Sequence, residues 1–242
     1  MQRFMQLPKP IEIDVIILSF AHTDELQLTT INCINSLLAS EDPNFIHFKI
    51  LVIESYKELQ TYQYLSSTTI YPSSPFGFHR YMNIGLNMTT SPYVCLCNND
   101  LLFHKNWATE ILNAMDQIPD LASASPICSI YHTQQGITFN SGNRIGYKVG
   151  GEIAGWCLFI KRSFFQQIGQ LDENFIFNAA DLDYASTLEV MYIKHALVTS
   201  AVVDHIRSKT LDAQNEERID ELNLGKEYYD AKWGHRILVW NQ

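Results

Sequence analysis

The chain has 242 residues, 46% of them hydrophobic, which is enough for one α/β domain with a full core and excludes wholesale disorder. Its 26 acidic and 17 basic residues give a net charge of −9, whereas a protein that grips nucleic-acid phosphates usually has the opposite balance. No apolar run matches a signal peptide or a membrane span, so we expect a cytoplasmic protein that reaches a membrane only by peripheral docking.

The first half of the chain alternates strand and helix patterns. Residues 13–20 form a continuous β-branched run typical of a strand buried on both faces, and Thr23 and Asp24 offer a cap for the helix that follows. The alternation continues with strands at 48–53 and 93–97 and helices at 79–88 and 106–118. This β-α-β-α-β order predicts a mostly parallel central sheet flanked by helices, in which ligands bind beyond the carboxyl ends of the strands.

The second half of the chain is less regular. Residues 129–151 are rich in Gly, Asn and Tyr and predict a hairpin or a mobile loop. Further elements are predicted as strands at 153–160 and 196–203 and helices at 163–168 and 181–192. From residue 208 the chain turns polar and helical, with Tyr228, Tyr229 and Trp233 available for packing. We therefore expect one domain over residues 1–207 and a helical tail over 208–242 packed on the same domain.

The five cysteines are an odd number without a CxxC pair, and most of them lie in apolar segments. We interpret them as buried reduced thiols of a cytosolic protein. Cys95 and Cys97 are the only close pair in the sequence. We expect their side chains on opposite faces of a strand, where they would neither bridge nor chelate.

Polar residues stand where the predicted strands end or helices begin. Asp100 closes the triplet Asn98-Asn99-Asp100 after the strand at 93–97, where it could hold a hard divalent cation against phosphate oxygens. A polar turn explains the same triplet. Asp181 and Asp183 begin a predicted helix, either as a general base for a hydroxyl or as ordinary capping acids.

Two further polar residues follow predicted strands, Glu54 after the second and His205 after the last. A lone histidine near a strand end is more often structural or solvated than a ligand, and Glu54 has the ordinary explanation of a solvated acid at a strand end. The glycines and the asparagine of the segment Gly77 to Gly85 have an equally ordinary explanation as turn and helix-packing residues. Taken singly, none of these residues indicates a function.

The order and spacing of these groups carry more information. Gly77, then Asn83-Ile84-Gly85, then an apolar strand and Asn98-Asn99-Asp100 resemble family 2 glycosyltransferases of the GT-A fold, where similar residues lead into a DxD-type metal motif. Segments 155–162 and 168–175 look like the acceptor-side block of that family, and residues 180–183 look like its "ED-x-D" motif. His205 resembles the histidine after its last strand, and Lys232-Trp233-Gly234 its tail. The resemblance runs from about Asp14 to about Gly234.

The resemblance implies a Rossmann-like GT-A domain that transfers a hexose or deoxyhexose from a UDP-, GDP- or dTDP-linked donor to a glycan or other hydroxyl acceptor, with inversion. It implies that Asp100 holds Mn²⁺ or Mg²⁺, with His205 as a further ligand. Asp181 would be the catalytic base, with Asp183 as the alternative.

Donor and acceptor contacts follow from the same resemblance. Ser19, Phe20 and His22 of the loop after the first strand would contact the nucleoside, as would Glu54. Donor-side positions are also implied for Asn83, Asn98 and Asn99. Gly155 and Trp156 would form part of the acceptor wall, because flat aromatic faces suit sugar rings.

The chain departs from the family pattern at three positions. The metal motif has one carboxylate where two are common, Ala180 replaces the usual Glu before Asp181, and Glu54 stands where Asp is more usual.

Three other functions are alternatives to this glycosyltransferase. A nucleotidyltransferase would share the sheet and the metal, but residues 19–23 lack the Gly-rich basic loop that it needs. A non-catalytic sugar- or protein-binding module of the same fold stays open. Sugar transfer to modified bases of viral DNA is disfavoured by the acidic charge.

Overall fold

The structure, a computed structural model, describes residues 9–206 and 216–234, with side chains in the last helix from residue 225 onward. Its strands are β1 (Ile11–Ser19), β2 (Ile46–Glu54), β3 (Thr68–Ile70), β4 (Tyr93–Asn98), β5 (Leu101–Phe103), β6 (Leu121–Ile127), β7 (Arg144–Ile145), β8 (Cys157–Lys161) and β9 (Lys194–His205). Its helices are α1 (Asp24–Ser40), α2 (Phe78–Met88), α3 (Trp107–Gln117), α4 (Phe165–Ile168), α5 (Ala180–Val190) and α6 (Glu216–Trp233).

The strands of the described residues form one mixed sheet in the order β3-β2-β1-β4-β8-β6-β9-β5, and β7 pairs with β9. The first four strands of this order run parallel, with Ile16 opposite Leu51 of β2 and Leu96 of β4. The β-α-β-α-β pattern of the first half is therefore confirmed. β8 runs antiparallel to both of its neighbours, β4 and β6, and so makes the whole sheet mixed.

Both faces of the sheet are covered by helices, which explains the unbroken apolar run of β1. Ile13, Val15 and Ile17 pack on one face with residues of α1 and α3. Ile16 points to the other face and packs with residues of α2 and α5. The strand therefore buries both of its faces, as its β-branched composition predicts.

The less regular segments differ from the prediction in two ways: one alternative for residues 129–151, the hairpin, was wrong, and one strand was missed. Residues 129–151 do not form a hairpin of their own in the described part of the chain, since β7 pairs instead with β9. β6 was not predicted at all, because Ser123, Ser125 and Pro126 break its apolar pattern. Both serines are buried and hydrogen-bonded: the Ser123 hydroxyl to Tyr184 at 2.7 Å, and the Ser125 hydroxyl to the backbone N–H of Ala154 at 3.0 Å.

The cysteines are free and buried, as expected, but the predicted orientation of Cys95 and Cys97 was wrong. Residues two positions apart on a strand share a face, so both side chains point into the same core. The Cys95 Sγ lies 3.3 Å from the Cys97 Sγ and 3.7 Å from the Cys157 Sγ. Burial raises the pKa of all three thiols, which keeps them protonated in this apolar setting.

The last helix, α6, lies against α5 and against the segment before it. The Tyr229 hydroxyl lies 2.9 Å from the Ser186 hydroxyl, and Gly225 packs so closely on the carbonyl of Asn178 that any side chain there would collide. The division into a domain over 1–207 and a tail over 208–242 stays a prediction, because residues 207–215 lie outside the described residues. Among the helices that the structure describes, none combines the length and apolar character needed to cross a bilayer.

Candidate active site

The carboxyl ends of β1, β2 and β4 meet at one edge of the sheet. Ser19 lies opposite Glu54, and Leu18 lies opposite Asn98. The strand ends beyond which a ligand was expected therefore lie side by side. Parallel strands bring their carboxyl ends to a common edge, and this is where open α/β sheets bind ligands.

Asp100 and His205, the two predicted metal ligands, are brought together by the antiparallel pairing of β5 with β9. This pairing sets Leu101 opposite His205 and leaves Asp100 directly before it. The Nε2 of His205 lies 3.1 Å from the Oδ1 of Asp100, and the carboxylate side chain is only 9% exposed. The backbone N–H of Ile206 donates to the Asp100 carbonyl at 2.9 Å, which fixes the main chain beside the pair.

Trp156 holds the imidazole of His205 in place. The two rings are stacked, with centroids 5.0 Å apart and planes 7° from parallel. The Trp156 carbonyl accepts a hydrogen bond from the backbone N–H of Asn98 at 3.0 Å, which ties the start of β8 to the end of β4. The indole Nε1 is buried and has no hydrogen-bond partner among the described residues. One face of the indole is thus occupied by His205, and the contact of Trp156 with an acceptor stays a prediction.

A cavity of about 220 Å³ joins the candidate residues of both halves of the chain. Asn98, Gly155, Trp156, Asp181 and His205 all line it. The other lining residues are Phe78, His79, Leu96, Leu158, Leu171, Phe177, Asn178, Ala179, Ala180 and Tyr184. The candidate base Asp181 and the candidate metal ligand His205 therefore share one cavity.

Asp181 lies in the first turn of α5 at the wall of this cavity. Burial raises the pKa of its carboxyl, although the backbone N–H of Leu182 donates to Oδ1 at 2.9 Å and opposes the shift. Gly155 packs directly on it, since a Cβ at position 155 would lie 2.8 Å from the Asp181 Cβ. A carboxylate with a raised pKa accepts a proton more readily, which suits a general base.

Asp183, the alternative base, is occupied elsewhere. Its Oδ1 accepts a hydrogen bond from the indole Nε1 of Trp233 at 2.7 Å and lies 2.9 Å from the Nζ of Lys232. The side chain is 5% exposed and is absent from the cavity lining. These contacts anchor α6 to α5, so the geometry favours Asp181 over Asp183 as the base.

Glu54 is fully buried and organises the loops that follow β1 and β2. Its Oε1 accepts hydrogen bonds from the backbone N–H groups of Ala21 at 3.1 Å and Tyr56 at 2.8 Å. Its Oε2 accepts one from the Tyr64 hydroxyl at 3.1 Å. These two loops carry a cluster of aromatic rings. The centroid of the Phe20 ring lies 4.7 Å from that of His22 and 5.8 Å from that of Tyr56. The nucleoside contacts of Glu54, Phe20 and His22 stay predictions.

Three other residues that were predicted to contact the donor, Ser19, Asn83 and Asn99, have buried side chains that are hydrogen-bonded within the protein. Asn83 uses its amide to hold Leu171, donating to the carbonyl at 2.8 Å and accepting from the N–H at 3.0 Å. The Oγ1 of Thr30 lies 2.9 Å from both the Asn99 amide nitrogen and the Ser19 hydroxyl. None of the three lines the cavity. Their contact with a donor stays a prediction, and what the structure describes is support for neighbouring segments.

His79 is a cavity residue that the sequence analysis did not single out. It lies on α2 one turn before Asn83, and both side chains reach the segment at 171–173: the Nδ1 of His79 lies 2.9 Å from the carbonyl oxygen of Asp172. The signal in the sequence that could have identified His79 is its spacing of four residues from Asn83, which puts both residues on the same face of the helix.

A family model described as "Glycosyl transferase family 2" matches residues 15–169 of the chain. The match includes Asp100 and Trp156 but ends before Asp181 and His205. A search of curated proteins finds no match.

Solved structures of similar fold are glycosyltransferases with sequences only distantly similar. GalNAc-T7 with UDP, GalNAc and Mn²⁺ has a TM-score of 0.65 at 11% identity, covering 93% of this chain and 51% of the other. The mannosyltransferase PcManGT of Pyrobaculum calidifontis, with GDP-Man and Mn²⁺, has a TM-score of 0.60 at 12% identity, covering 84% and 59%. A Drosophila β1,4-galactosyltransferase 7 with manganese, UDP-Gal and xylobiose has a TM-score of 0.52 at 11% identity, covering 86% and 79%. These likenesses show the fold, and the chain spans about half to three fifths of the first two proteins.

Proposed function

Because the chain belongs to glycosyl transferase family 2, we propose that it transfers a hexose or deoxyhexose from a nucleoside diphosphate to a hydroxyl acceptor such as a glycan, with inversion at the anomeric carbon. The observation that carries the proposal is the single cavity lined by both Asp181 and His205. Transfer of this kind needs a base for the acceptor and positive charge for the leaving diphosphate at the same place.

Asp181 is the proposed base. Its Oδ1 accepts a hydrogen bond from the Leu182 N–H, which leaves Oδ2 to take the proton of the acceptor hydroxyl. As that proton moves to Oδ2, the hydroxyl oxygen bonds to the anomeric carbon and the bond from this carbon to the diphosphate oxygen breaks. One displacement on the face opposite the leaving group inverts the anomeric configuration. The raised pKa of Asp181 supports this role, and Gly155 limits the movement of the side chain.

Asp100 and His205 are the proposed ligands of a divalent cation. A buried carboxylate oxygen and an imidazole nitrogen 3.1 Å apart form a donor set that fits Mn²⁺ and, less well, the more strictly oxygen-binding Mg²⁺. When bound, such an ion neutralises the negative charge that grows on the departing diphosphate. Trp156 keeps the imidazole oriented by stacking on it. Complexes of similar structures with Mn²⁺ and UDP or GDP ligands support a divalent cation at the donor in this fold.

The proposal is tested by measuring release of nucleoside diphosphate from UDP-, GDP- and dTDP-sugars with Mn²⁺ and glycan acceptors, and again after the metal is removed with a chelator. Removing a general base costs about a hundred- to ten-thousandfold in rate. We therefore expect Asp181→Asn to lose turnover on this scale while its donor affinity, measured by calorimetry, is retained. Removal of the metal should abolish transfer by the wild type.

Asp183→Asn is the matched control, because it makes the same change two residues away at a carboxylate outside the cavity. It should lower thermal stability and leave most of the turnover. Near-normal turnover of Asp181→Asn would move the base elsewhere. If the wild type released no diphosphate from any donor, the non-catalytic binding module would be the better description.

A further inference from the structure

We propose that His79 is an acceptor-binding residue whose Nε2 accepts a hydrogen bond from a second hydroxyl of the acceptor sugar, next to the hydroxyl that Asp181 deprotonates. The inference rests on the proposed transfer reaction and deepens it, because it assigns a residue of the acceptor subsite that no motif of the sequence indicates.

The hydrogen bond of His79 to the main chain fixes which ring nitrogen carries the proton. Nδ1 lies 2.9 Å from the carbonyl oxygen of Asp172, and a carbonyl oxygen can only accept. Nδ1 is therefore the donor, and the neutral ring presents Nε2 with a bare lone pair. Nε2 makes no hydrogen bond to any residue that the structure describes.

The surroundings of His79 keep the ring neutral. The residue is 2% exposed, and its ring lies edge-on to Phe175 with centroids 5.8 Å apart. This burial lowers the pKa of His79; the hydrogen bond to the Asp172 backbone and the acidic side chains of Asp183 and Asp172 oppose the shift without reversing it. Nε2 is thus an acceptor at neutral pH, and it calls for a ligand that donates a hydrogen.

The cavity defines the class of that ligand. His79 lines it together with Asp181, and much of the remaining wall is apolar, with Phe78, Leu171 and Phe177 among its members. A sugar ring has apolar C–H faces that pack on such a wall and hydroxyl groups that need partners when they are buried. Asp181 can serve one hydroxyl and His79 another, so an acceptor with at least two free hydroxyls fits.

Two substitutions separate the nitrogens of the ring. In His79→Asn the amide N–H₂ replaces Nδ1 as the donor to Asp172, and nothing replaces Nε2. In His79→Gln the longer side chain carries an amide oxygen to the position of Nε2 and gives up the bond to Asp172. We expect His79→Asn to raise the acceptor KM about tenfold, the effect of losing one hydrogen bond in a buried site, with donor KM and thermal midpoint unchanged. His79→Gln should recover part of the acceptor affinity despite a lower midpoint.

Three results would overturn the assignment. These are an unchanged acceptor KM in His79→Asn, a rise in donor KM as large as the rise in acceptor KM, or a loss of activity that follows the thermal midpoint in both variants. The last pattern would show that His79 only supports the segment around Asp172.

A binding measurement separates this inference from the proposed function. Methyl glycosides of common hexoses and deoxyhexoses are screened by ligand-observed NMR against the wild type and His79→Asn. A wild type that binds a glycoside but transfers no sugar would refute the transferase and leave the role of His79 intact if His79→Asn loses that binding. Equal binding by both proteins, or no binding by the wild type, would refute the role of His79.

Discussion

The contact between Gly155 and Asp181 allows a test that leaves the proposed catalytic carboxylate itself unchanged. Gly155→Ala adds one methyl group 2.8 Å from the Asp181 Cβ and 3.3 Å from its Oδ2. Carbon atoms in ordinary contact lie about 3.5–4.0 Å apart, so the two residues must separate by about 0.7–1.2 Å. The backbone at Gly155 lies outside the left-handed region, so the change tests steric contact alone.

The size of this displacement sets the expected effect. A catalytic group misplaced by about 1 Å costs about a hundredfold in rate, and overpacking a core costs about 1–3 kcal/mol. We therefore expect Gly155→Ala to lower kcat about a hundredfold at saturating donor and acceptor, with a moderate fall of the unfolding midpoint. The assay is the initial rate of nucleoside diphosphate release, with thermal unfolding measured on the same samples.

Gly85→Ala is the control for Gly155→Ala. A Cβ at position 85 would lie 2.7 Å from Ile16 and 3.1 Å from Ile53, so the overlap is similar but lies in the core, outside the cavity lining. This variant should lose stability and keep the kcat of its folded fraction. A kcat within threefold of wild type in Gly155→Ala, or equal losses in the two variants, would refute the argument that the glycine positions the base.

Two further predictions concern the protein's buried titratable groups. Burial lowers the pKa of His195 from 6.5 to about 4 and also lowers that of His132, so the unfolded chain binds protons more readily below pH 6.5. The stability contributed by the neutral rings is complete above pH 6.5 and falls as the pH drops towards 4; a flat midpoint in thermal melts between pH 7 and 4.5 would contradict this. The five cysteines are buried, so a thiol reagent should label none of them in the native state and all five after denaturation. Rapid labelling of a native thiol would disprove that burial.

The elements that were predicted correctly are those whose signal is local. β1 is recognised by its apolar run, and α1 by Thr23, whose hydroxyl accepts the Leu26 N–H at 3.3 Å. β6 could not be recognised in this way because Ser123 is polar and yet buried. Its hydroxyl lies 2.8 Å from the Nδ1 of His195 on β9, and this partner is supplied by the tertiary fold.

The candidate site shows the same limit. Strand ends and motif order indicated Asp100, and the family resemblance indicated Asp181 and Asp183 together. The choice between Asp181 and Asp183 as the proposed base could not be made from the sequence, because both acids lie in the first turn of the same helix. It depends on Trp233, which arrives from the far end of the chain and occupies Asp183. The proposed role of His79 was hidden for a similar reason, since its tautomer is set by the carbonyl of Asp172.

The docking of α6 has a thermodynamic consequence for the cavity. Lys232 lies 2.7 Å from Asp172, whose carbonyl orients His79, and 2.9 Å from Asp183 on the helix that carries Asp181. The docking of α6 and the binding of a ligand in the cavity are therefore linked equilibria. If the cavity binds a sugar as proposed, a change that draws α6 away weakens that binding, and an occupied cavity tightens α6 by the same free energy. We therefore expect a purification tag fused behind α6 to perturb the proposed acceptor binding.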